Sequence, residues 1–172
     1  MNRRQAEKEL KDLFGFDSFH DEQWETIDLL LQGNSVLLIE KTGFGKSLCY
    51  QFPATQFEGL TVIFSPLIAL MRDQVHGLNR KDIAARLINF EQLEEEHEQV
   101  LQKAIDGKVK ILYIAPERQE NQIWQNAVRQ MNISMVVIDE AHTISPVGIC
   151  RLPILRGTTG IPSTSSLSKK ML

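Results

Sequence analysis

Val36-Leu37-Leu38-Ile39-Glu40-Lys41-Thr42-Gly43-Phe44-Gly45-Lys46-Ser47 passes from an apolar run into a glycine-bearing turn, and a helical pattern starts at Lys46. Strand, tight loop and helix in that order make a cradle for phosphates. Gly43 and Gly45 let the backbone turn sharply and aim its amides inward, with Thr42 beside them in the loop. The helix adds its unpaired N–H groups and its positive end. Lys46 supplies a point charge for the β- and γ-phosphates, and the Ser47 hydroxyl suits a magnesium ion. Glu40 stands where the general pattern has its first glycine, so its side chain is expected to point away from the phosphates.

Downstream lies Val136-Val137-Ile138-Asp139-Glu140-Ala141-His142, an acidic pair at the end of an apolar strand. Asp139 is expected to hold the same magnesium, usually through water, and Glu140 to polarise the attacking water. The two segments together imply binding of a nucleoside triphosphate with magnesium, and its hydrolysis. Lys46, Asp139 and Glu140 are the candidate catalytic residues.

At 172 residues the chain suits one domain, able to bury roughly 70% of its unfolded surface. Its net charge is −3, which gives no global basic footprint, so nucleic-acid binding must rely on local patches and backbone amides. Residues 1–11 are charged and contain no apolar stretch, arguing against a signal peptide or membrane span at that end. Cys49 and Cys150 are too few and too far apart for a zinc cluster. A reducing cytoplasm is the expected location, with a monomer the expected state.

Apolar periodicity predicts two N-terminal helices. Ala6, Leu10, Leu13 and Phe14 share one face closed by Gly15. A second helix spans 21–32, with Trp24, Ile27, Leu30 and Leu31 inward and Gly33 as its stop. Strands are expected at 36–39, 60–64, 86–89, 111–114 and 135–138. Helices are expected at 46–57 (kinked at Pro53), 66–78, 91–105 and 121–131. Short strands apolar on both faces and separated by helices specify an α/β fold, with a mainly parallel sheet covered on both faces. Ligands of such sheets sit at the carboxyl ends of the strands, where both motifs fall. The predicted organisation is helices over 1–33, an ATP-binding core over 34–142, and a divergent, largely disordered tail over 143–172. That tail has four basic residues (Arg151, Arg156, Lys169, Lys170), no acidic ones, and many Ser, Thr, Gly and Pro.

The pattern resembles the first motor domain, a RecA-like P-loop domain, of a RecQ-like DNA helicase within helicase superfamily 2. The likeness runs from Leu10 to about Ser145. Phe14-Gly15-Phe16, Phe19 and Gln23 resemble that family's adenine-recognition motif, although His20 stands where the family usually has arginine. A glutamine amide both donates and accepts, matching adenine, and Phe16 can stack on the base. Lys46-Ser47-Leu48-Cys49-Tyr50-Gln51 extends the phosphate loop in the family's manner. Ser65-Pro66-Leu67-Ile68-Ala69-Leu70-Met71 and Ala115-Pro116-Glu117-Arg118 resemble its two DNA-backbone motifs. These read as a serine cap and a proline-led helix start, natural anion sites. Ser65, Pro66, Pro116, Glu117 and Arg118 are therefore the candidate DNA contacts. The resemblance also implies that His142 links the ATP site to a second motor domain.

After Ser145 the family's Gln-Trp-Gly loop, its Ser-Ala-Thr-like motif, its second motor domain and its zinc-binding and winged-helix regions are not matched. A one-nucleotide frame slip near Ser145, turning Gln-Trp-Gly into Pro146-Val147-Gly148, is the expected origin of the tail; genuine divergence is the rival. Three function classes stay open: an ATP-dependent DNA helicase whose chain is incomplete, an ATP-binding module without useful turnover, and an RNA-directed relative. ATP and magnesium are the implied cofactors. Single-stranded or partly duplex DNA is the implied partner.

Overall fold

The computed structural model describes residues 1–41 and 43–140. Expectations for Thr42, for His142 and for the tail over 143–172 lie outside the described residues. Among those described, no helix is long and apolar enough to cross a membrane.

Helix α1 (Arg3–Phe14) starts in a capping box, with the Asn2 side chain accepting from Gln5 N and the Gln5 side chain from Asn2 N. It ends where Gly15 takes a left-handed φ of 80°. Helix α2 (Asp21–Leu31) follows, then the glycine turn and α3 (Lys46–Gln56), which keeps Pro53 inside it. Beyond these, strands and helices alternate: β1 (Leu60–Phe64), α4 (Ile68–Asn79), β2 (Ala85–Ile88), α5 (Glu94–Ile105) and β3 (Ile111–Ile114). A 3-10 turn (Pro116–Glu120), α6 (Gln122–Val128) and β4 (Ile133–Ile138) complete the described chain.

All four strands run parallel in the order β2-β3-β1-β4. Side chains alternate between the faces, as the pleat requires. Ile63, Ala85, Ile111 and Tyr113 point into one core with Leu10, Phe14, Ile27, Phe52 and Met71 from α1 to α4. Val62, Phe64, Ile88, Leu112 and Ile114 point into the other, with Leu101, Ala104, Trp124 and Val128 from α5 and α6. The sheet is thus covered on both faces, as its apolar strands require, and the N-terminal helices share a core with the sheet.

One predicted strand is absent. Residues 36–39 pair with no strand of the sheet, and Leu37 and Ile39 are 73% and 81% exposed. An apolar run is competent for β structure, but a ladder needs a neighbour to receive its hydrogen bonds. Here β4 is the outermost strand on that side, and its own side chains are only half-buried. The helix expected from Pro66 starts instead at Ile68 behind Leu67, so Ser65 caps nothing. Proline holds its preceding residue out of the helical region, which keeps the serine extended.

The phosphate loop and the acidic pair

Three of the chemistry-bearing segments end up at the carboxyl end of the sheet. Asp139 leaves β4 with its N–H donating to Phe64 O of β1 at 2.8 Å, and Ser65 N donates to Ile114 O of β3 at 3.2 Å. The acidic pair, the Ser65-Pro66 segment and the Ala115-Pro116 segment are therefore side by side, because adjacent parallel strands stop at the same level. This is where ligands of open α/β sheets bind.

The phosphate loop reaches that rim through α3. Gly43 and Gly45 take left-handed φ of 88° and 84°, which L side chains adopt only under strain. A Cβ at Gly45 would also meet Gln23 Nε2 at 2.8 Å, so that amide would have to shift. As the N-cap of α3, Gly45 offers no side-chain hydrogen bond, which suits a helix start built to receive an anion. Lys46 Nζ folds back on the loop, donating to Glu40 O at 2.8 Å and Lys41 O at 3.4 Å. Glu40 thus contributes its carbonyl to holding the lysine.

Ser47 and Asp139, the two expected magnesium ligands, come from the start of α3 and the end of β4, and Tyr50 of α3 reaches across to the second. The Tyr50 hydroxyl, about one turn along α3 from Ser47, donates to Asp139 Oδ2 at 3.3 Å. Burial, and next the neighbouring Glu140, hold the Asp139 carboxyl above its usual pKa; the Glu140 N–H, Tyr50 and Lys46 pull the other way. A half-buried carboxylate whose charge is disfavoured until a cation arrives, beside a hydroxyl and a lysine, fits a magnesium site. Glu140 follows with φ of 50°, its N–H donating to Asp139 Oδ1 at 3.1 Å. A non-glycine residue held in that region is a common mark of a functional site.

The adenine-recognition residues part company. Phe16 is 55% exposed, free to stack. Gln23 is buried, with its Oε1 accepting from His20 N at 3.0 Å and its Nε2 donating to Phe44 O at 2.9 Å. The amide that would read a base also ties α2 to the phosphate loop.

Of the expected DNA contacts, Ser65 is buried, Pro66, Pro116 and Arg118 are half-buried and Glu117 is exposed. Pro116 does lead a helical turn, a 3-10 one. Ser65 Oγ and Arg118 Nε have no hydrogen-bond partner among the described residues. The motifs did not single out Tyr113, which is buried in β3 and whose hydroxyl accepts from Gln51 Nε2 at 2.9 Å. Its signal was a polar-tipped aromatic inside an otherwise aliphatic strand.

Residues 20–150 match the DEAD/DEAH box helicase family. The ATP-dependent DNA helicase RecQ of Haemophilus influenzae is 43% identical over 139 residues, covering 81% of this chain and 22% of that protein. Its namesake in Pasteurella multocida is 46% identical over 136 residues, covering 79% and 22%. This chain thus spans about a fifth of the length of these curated relatives. Among solved structures, the DUF1998 helicase MrfA bound to DNA and AMPPNP superposes with a TM-score of 0.68 at 23% identity, over 81% of this chain and 21% of that one. At that identity the likeness is one of fold.

Proposed function

The chain belongs to the DEAD/DEAH box helicase family, and on that premise we propose that it is the ATP-binding first motor domain of a RecQ-like DNA helicase. One observation carries the reading: Tyr50, in the first turns of the helix that opens on the phosphate loop, donates its hydroxyl to Asp139 Oδ2 of the acidic pair at 3.3 Å, so the two motifs share one rim. The backbone amides of the loop around Thr42, Gly43 and Gly45, with the start of α3, receive the phosphates. Lys46 leaves its two loop carbonyls to meet the terminal phosphate, and Glu140 orients the attacking water. Bound magnesium would neutralise charge on the phosphate oxygens, held by Ser47 and Asp139. Phe16 stacks on adenine and Gln23 reads its edge, while Ser65, Pro66, Pro116, Glu117 and Arg118 face the DNA backbone. His142 relays the state of the site to a second motor domain.

The partner is single-stranded or partly duplex DNA, the setting cytoplasmic, and the state monomeric. Hydrolysis by these 172 residues alone is slow and responds weakly to DNA. The resemblance puts an arginine finger, a group worth on the order of 10³–10⁵ in rate, on a second motor domain. Titration with a fluorescent ATP analogue tests the site: Lys46→Ala should abolish magnesium-dependent binding, and equal affinity in both proteins would refute the assignment. ATPase assays with and without single-stranded DNA test the turnover. Strong stimulation that Glu140→Gln removes would show that the chain is a more complete motor than proposed.

A further inference from the structure

Beneath the nucleotide rim lies a cluster of buried polar groups. Tyr50 and Gln51 are 7% exposed and Tyr113 is 1% exposed. Gln51 Nε2 donates to the Tyr113 hydroxyl at 2.9 Å and also to Gln74 Oε1 on α4. The two phenols are close enough to influence each other's ionisation. Tyr113 accepts from Gln51, and Tyr50 donates to Asp139.

We propose that Tyr50 is a positioning residue for Asp139, and that Tyr50, its α3 neighbour Gln51, Tyr113 and Gln74 form a buried cluster linking this carboxylate to helix α4. The inference rests on the reading of Asp139 as a magnesium ligand. A carboxylate on the last turn of an edge strand has little packing to fix its rotamer, and the anchored phenol supplies what the strand lacks. Buried polar clusters of this kind transmit displacement because breaking any bond leaves an unpaired group in a dry environment. Helix α4 follows Ser65-Pro66 at the same rim. Movement of that helix on binding a strand of DNA is therefore felt at Asp139 through Gln74, with no contact between the two ligands.

The test uses the full 172-residue chain, a fluorescent ATP analogue and a magnesium titration, with binding in EDTA measured alongside. Tyr50→Phe keeps the ring and removes the donor. It should raise the half-saturating magnesium concentration roughly tenfold, the scale of a lost hydrogen bond to a charged group, while metal-free nucleotide binding stays unchanged. Gln74→Leu cuts only the far end and should shift the magnesium dependence about threefold. Should Tyr50→Phe fail to fold, Tyr113→Phe carries the test, with a shift in the same direction.

A magnesium dependence unchanged in the phenylalanine variant, or an equal loss of metal-free binding, overturns the positioning role. An effect in Tyr50→Phe with none in Gln74→Leu overturns the link to α4. A wild-type chain whose nucleotide binding ignores magnesium would instead refute the ATP-site assignment, and this inference with it.

Discussion

Gly45→Ala isolates what the phosphate loop demands of its backbone. Two costs add at this position. The left-handed φ of 84° costs an alanine about 1–2 kcal/mol relative to glycine. The new methyl would also stand 2.8 Å from Gln23 Nε2, closer than real Cβ atoms approach. The amide must move, and its 2.9 Å bond to Phe44 O is strained or lost, at about 1 kcal/mol. The expected destabilisation is therefore about 2–3 kcal/mol. For a chain of this size that lowers Tm by roughly 4–12 °C. Gly43→Ala is the internal control: its φ of 88° carries the same backbone cost, but nothing lies within 4 Å of its Cβ, so only about 1–2 kcal/mol is expected. Denaturant melts of both variants, repeated in a Gln23→Ala background, make a double-mutant cycle. Gly45→Ala should couple to Gln23 by about 1 kcal/mol, and Gly43→Ala by nothing measurable. Equal losses for the two glycines, or no coupling at position 45, would refute the close approach of α2 to the loop.

Asp139→Asn should stabilise the nucleotide-free chain at neutral pH while removing magnesium-dependent nucleotide binding. Burial and Glu140 raise the carboxyl's folded pKa above its unfolded value. Ionisation is therefore penalised in the folded state, and the penalty grows as pH rises from the unfolded pKa through the folded one. Thermal melts across that range should show a gap between wild type and variant that widens with pH; a gap that narrows contradicts the sign. Leu37→Ser and Ile39→Ser should each change stability by less than about 0.5 kcal/mol, because both side chains are exposed. Losses of about 2 kcal/mol or more in chemical melts would place the run in a buried strand after all. Phe52→Ala, in the core shared by α1, α3 and the sheet, should cost about 3–5 kcal/mol by the same measurement.

The sequence by itself determined the layered α/β fold, because strands apolar on both faces and separated by helical periods have few stable arrangements. Strands 60–64 and 111–114 appear with the predicted boundaries, and Asn2, Gly15 and Asn121 mark helix ends through local hydrogen bonds that neighbouring residues alone dictate. The glycine loop and the acidic pair were legible for the same reason: phosphate and magnesium chemistry requires those residue types at short range. What only the tertiary structure decided depended on partners far apart in sequence. Residues 36–39 read as a strand, yet a strand exists only where another offers its edge, and none does here. Gln23 read as a base contact, yet its amide also spans from α2 to Phe44 of the phosphate loop. Tyr50, Gln51, Gln74 and Tyr113 carry no local pattern that joins them. Their hydrogen bonds form because the parallel sheet brings α3, α4, β3 and the end of β4 together, and burial then compels each polar group to find a partner.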